Sequence, residues 1–145
     1  MRRTRPAVAS AVVVMAFAAA APAGAAARTL KATDKAHLHY ISASGSLLFE
    51  VGGASGTLPG NMDVHLRVGA TFSGSFTFKV RGGSIRGHGR ATPKGSGAIE
   101  SFAGSLTVTG GSGRFRHARG TARLYGTFNR NNYALVIQTV GTLHY

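Results

Sequence analysis

The chain has 145 residues, 17 Lys+Arg against 4 Asp+Glu and no Cys or Trp, for a net charge of +13. That length supports one domain, and the missing Cys excludes disulfide frameworks, Cys-based zinc sites and thiol catalysis together. Gly is abundant at 21 residues, yet 43% of the chain is hydrophobic, so a packed core is expected and disorder is not.

Residues 1–27 read as a secretory signal peptide. Arg2, Arg3 and Arg5 form a basic start, an uncharged stretch from Ala7 to Ala21 follows, and Pro22 to Ala27 supplies small residues for a peptidase, with cleavage expected near Ala27. A transmembrane anchor needs about 20 strongly apolar residues, whereas this stretch is short and mostly Ala. Arg2-Arg3 lacks the apolar context of a twin-arginine signal. Without the three leading arginines, Arg28–Tyr145 keeps 14 basic against 4 acidic residues in 118. Export without cysteine points to a bacterial secreted protein.

From Arg28 onward the pattern is period two, with no helical recurrence of apolar residues. About eight strands are predicted, near 31–41, 46–57, 62–69, 71–80, 84–92, 98–109, 120–130 and 133–145. In the third, Val64, Leu66 and Val68 oppose His65 and Arg67. In the fourth, Phe72, Gly74, Phe76, Phe78 and Val80 share a face, and in the sixth so do Phe102, Gly104, Leu106 and Val108. Turn signals fall at Pro59-Gly60-Asn61, Gly82-Gly83, Pro93-Lys94-Gly95, Gly110-Gly111 and Asn131-Asn132, with a tight corner at Gly69-Ala70. Eight short-connected strands remove their edges by closing into an antiparallel barrel, and glycines within strands suit its bends. A β-sandwich is the other all-β solution.

The stretch from Phe102 to Gly120 is similar to a hairpin of the allene oxide cyclase/dirigent barrel superfamily. Its elements are the turn Gly110-Gly111-Ser112-Gly113, the aromatic Phe115 and the restart Ala118-Arg119-Gly120. The segment from Gly126 to Tyr145 resembles the closing hairpin of small secreted bacterial members with no assigned activity. The resemblance implies an eight-stranded antiparallel barrel with an apolar cavity, often trimeric. The family's catalytic residues have no matching positions here.

Chemistry is thinly signalled. The carboxylates are Asp34, Glu50, Asp63 and Glu100. Glu50 sits within Leu47-Leu48-Phe49-Glu50-Val51; inside an apolar barrel it would have a raised pKa and serve as an acid or base. Alternation puts Phe49 and Val51 on the opposite face, which favours Glu50 facing solvent or pairing with an arginine. His37 and His39 project from one face of a strand and suit chelation, but nothing in the sequence places His65 or His88 beside them as a third ligand, so exposed polar-face histidines are expected. No dinucleotide fingerprint, phosphate-binding loop or nucleophile elbow is present, and no cofactor is expected.

Two binding readings follow. A small apolar molecule would sit in the barrel, lined by Phe72, Phe76, Phe78, Val80, Phe102, Leu106 and Val108. A cyclase or isomerase would use the same space with a desolvated Glu or Tyr inside it. Separately, Arg81, Arg86, Arg90 and Lys94 on one hairpin, and Arg114, Arg116, Arg119, Arg123 and Arg130 on another, suit an anionic cell-envelope polymer. Interleaved aromatics are too few for specific nucleic-acid recognition. An outer-membrane barrel would place the apolar face toward lipid; the terminal Tyr145 suits it, whereas Thr139, Gly141 and the missing aromatic girdles do not. Val136 and Val140 make the last strand apolar on both faces, as a homo-oligomer contact would.

Overall fold

A computed structural model describes residues 27–95 and 97–145. The signal-peptide assignment lies almost wholly outside them. Eight antiparallel strands close into one barrel in sequence order, the last pairing with the first. They are β1 (Thr29–Ser44), β2 (Leu47–Gly56), β3 (Gly60–Arg67), β4 (Phe72–Val80), β5 (Gly83–Lys94), β6 (Ile99–Gly113), β7 (Arg119–Asn129) and β8 (Leu135–His144). Every predicted strand is present. The Gly110-Gly111 turn is a correction: β6 runs on to Gly113, and the connection is Arg114–Ala118.

Alternation fixes two faces, and the structure assigns them. Ala36, Leu38, Met62, Val64, Leu66, Phe72, Phe78, Ile85, Phe102 and Phe128 are buried inside. The outward residues of β4 to β7 are mainly Ser, Thr, Arg and His. A lipid-spanning barrel shows the opposite arrangement. Glycine lets neighbouring strands cross closely at the bends: a Cβ on Gly104 would strike the backbone of Arg90 and Ala91 on β5.

The two ends are closed differently. At one end Phe115, wholly buried, tucks under the β6–β7 connection beside Tyr145, with ring centroids 4.9 Å apart. Arg114 lies over both rings, 4.9 and 5.3 Å from their centroids. There Arg28 and Tyr145 pair, the Arg28 N–H donating to the Tyr145 carbonyl and the Tyr145 N–H to the Arg28 carbonyl. The motif that carries the family resemblance thus builds this plug, since Ala118 is buried as completely as Phe115. At the other end an aromatic chain runs from Tyr40 through Tyr133, Phe128 and Phe72 to Phe102, with neighbouring centroids 5.2 to 6.0 Å apart.

Candidate functional site

Two apolar cavities occupy the interior. The first has a volume of ≈ 60 Å³ and is bounded by Val64, Leu66, Phe72, Phe102, Leu124 and Ile137, among others. The second has ≈ 70 Å³ and reaches toward the plugged end, bounded by Leu58, Phe78, Ile85, Val108 and Leu143, with Asp34 at its edge. Met62, Phe76, Leu106 and Thr139 border both and form the partition between them. A water molecule needs about 10–15 Å³ of such space, so each chamber takes a group of roughly four to six small atoms.

Six of the seven residues expected to line a barrel cavity do so. Phe72 and Phe102 border the first chamber, Phe78 and Val108 the second, and Phe76 and Leu106 both. Val80 borders neither and packs half-buried against the core near the β4–β5 turn. The sequence missed Met62, Leu124 and Ile137, which face them from β3, β7 and β8. Their alternation was visible, but which strands meet across a barrel depends on its register and stagger.

Glu50 departs from expectation. It neither faces solvent nor pairs with an arginine: it is fully buried, and neither carboxyl oxygen has a hydrogen-bond partner. The reason is local. β2 is apolar on both faces, so Phe49 and Val51 mark the outer face while Leu48 and Glu50 point inward. Phe49 covers its exposed side by stacking on His65, 4.8 Å between centroids. Within the ladder Glu50 pairs with Tyr40 on β1 and Val64 on β3. Desolvation alone pushes its pKa up to about 7. Glu50 nevertheless borders neither cavity.

The other carboxylates are structural in setting. Asp34 is buried and accepts the Leu58 N–H at 2.7 Å. Burial raises its pKa, and that hydrogen bond partly offsets the rise. Glu100 accepts from Arg130 at 2.8 Å, tying β6 to the β7–β8 turn. Asp63 pairs with Lys79 at 2.9 Å on the outer wall.

His37 and His39 are exposed on the outside of β1, and the described residues contain no group of three metal-ligating side chains. Arg81, Arg86, Arg90, Arg114, Arg116, Arg119 and Arg123 are all exposed. The structure brings Arg86 toward Arg119 and aligns Arg90 with Arg123 across β6. Arg81 and Arg116 lie in turns, and Arg114 is engaged with the aromatic plug. Val136 and Val140 lie on the outer face of β8, Val140 at 42% exposure. Comparison with protein-family models, curated proteins and solved structures finds no match for the chain.

Proposed function

We propose that the protein is an exported barrel that binds a slender apolar molecule in its interior. The observation that supports this reading is the pair of apolar cavities meeting at Met62, Phe76, Leu106 and Thr139. An engineered apolar cavity of about 150 Å³ takes up benzene. Each chamber here is smaller, so a bulky ring system is disfavoured. A narrow alkyl or isoprenoid chain fits by passing from one chamber to the other. The partition is largely side chain, and rotation of Phe76, which is only half-buried, would join the two.

Recognition would rest on apolar burial at about 25 cal/mol per Å², with Thr139 the polar side chain at the junction. Of the two buried carboxyls with raised pKa, Glu50 lines neither chamber, and Asp34, at the edge of the second, is engaged by the Leu58 N–H, so the geometry favours binding over catalysis. The test is a chain-length series. Met62 is the one methionine in residues 27–145, so a 13C-methyl label there gives a single reporter on both chambers. Saturable methyl shifts with affinity rising from butanol to octanol support the reading; absence of any shift refutes it.

A further inference from the structure

The chain separates its charges radially. Asp34, Glu50 and Glu100 are each at most 9% exposed, and Asp63 is held by Lys79. The outer wall is left with a strong surplus of basic groups, and β5 to β7 give it order. β5 turns Arg86, His88 and Arg90 outward, β7 turns Arg119, Thr121 and Arg123 outward, and β6 presents Ser105, Thr107 and Thr109 near them. In register Arg90 lies opposite Ser105, and Ser105 opposite Arg123. Two strand spacings put these arginine backbones about 10 Å apart.

Nearer the plugged end the arginines converge. The β5–β6 register shifts between Arg86 and Gly87, so that Gly110 pairs with Arg86 and Val108 with Gly87. Thr109 is the extra residue of this bulge, and its hydroxyl donates to the Arg86 carbonyl at 3.5 Å. The bulge points Gly110 toward the outer wall, where it is buried beneath the side chains of Arg86 and Arg119. A Cβ built there stands 3.5 Å from Arg119 Nη1, 3.5 Å from Arg86 Nε and 3.6 Å from Arg86 Nη2. Two guanidiniums therefore face one point. Arg119 also donates to the Ala118 carbonyl at 2.7 Å, and neither arginine is among the ion pairs of the described residues. Like charges placed this way repel until an anion lies between them.

We propose that the outer face of β5, β6 and β7 binds an extended phosphodiester polymer, with one phosphate over Gly110 between Arg86 and Arg119. Arg90 and Arg123 flank a second position about 13 Å further along the strands. The guanidinium fork matches phosphate oxygens bidentately, and the β6 hydroxyls provide partners for a polyol backbone. Between the arginine rows there is no large apolar side chain to enter a bilayer, and Tyr125 alone is placed to stack on a base. The partner is therefore a base-free chain such as glycerol phosphate polymer.

The test uses lipid-free fluorescent poly(glycerol phosphate), titrated by anisotropy at about 0.15 M salt. Arg86→Gln with Arg119→Gln weakens binding about tenfold or more, the loss of one charged hydrogen bond or more. Arg67→Gln with Lys35→Gln removes equal charge from β3 and β1, more than a Debye length from the Gly110 position, and changes affinity less than about twofold, the limit set by screening. Gly110→Asp sets its Cβ at ordinary contact distance from both guanidiniums and its carboxylate against them; it abolishes the tight site and raises Tm, whereas Gly110→Ala stays near wild type. Circular dichroism confirms that each variant keeps its strands. Equal losses in the two double variants, no binding by wild type, or tighter binding to single-stranded DNA, hyaluronate or anionic vesicles would overturn the proposal.

Discussion

Glu50→Gln is predicted to change how stability depends on pH. In the folded protein the Glu50 carboxyl has no hydrogen-bond partner and no exposure, and its pKa stands at about 7 against an ordinary 4.5. Folding thus favours the protonated form. The native state binds more protons than the unfolded chain between these two values, so stability falls as pH rises through that window. The full difference corresponds to about 3 kcal/mol. Below pH 4.5 the contribution is complete, and above pH 7 it is lost. Asp34, also raised by burial, adds a slope of the same sign, beginning at lower pH. The wild-type minus Glu50→Gln difference therefore isolates Glu50. Urea unfolding from pH 4 to 9 reads it directly. Wild type loses about 3 kcal/mol relative to Glu50→Gln across the window, and Glu50→Leu, which removes the orphaned polar atoms, shows no such loss either. Parallel pH profiles for wild type and Glu50→Gln would refute the reasoning.

Phe115→Ala empties the barrel plug and lowers unfolding free energy by about 3–5 kcal/mol, measured by denaturant titration at pH 6. Glu100→Gln weakens the bond to Arg130, whose side chain is 43% exposed, and costs about 1 kcal/mol; amide exchange at the β7–β8 turn quickens more than at the plugged end. Leu106→Trp fills the junction of both cavities and suppresses the Met62 methyl shifts with every alkanol, while the overpacked core loses about 1–3 kcal/mol.

The architecture was legible because strand period and turn residues are local. Phe72 to Val80 alternates without interruption, and Gly82-Gly83 can hardly be anything but a turn, so strand number and order followed directly. The direction of each face was not local. Alternation around Phe49 and Val51 correctly set Glu50 opposite them, but only closure of the barrel shows that Phe49 and Val51 are outside. Gly110 was misread for a related reason. It looked like a turn glycine, whereas the bulge at Thr109 changes the register and carries the strand onward with its faces exchanged. The approach of Arg86 to Arg119 rests on that bulge, which no residue pattern announces. The cavity lining was half legible, since the aromatic strands were evident and their partners on β3, β7 and β8 depend on stagger.

Native mass spectrometry of the protein purified without detergent from its own host tests the proposed binding function most directly. The geometry predicts one small apolar adduct per barrel, retained through buffer exchange and missing from Leu106→Trp prepared in the same way. Wild type and Leu106→Trp that both carry only the mass of the bare chain would contradict it.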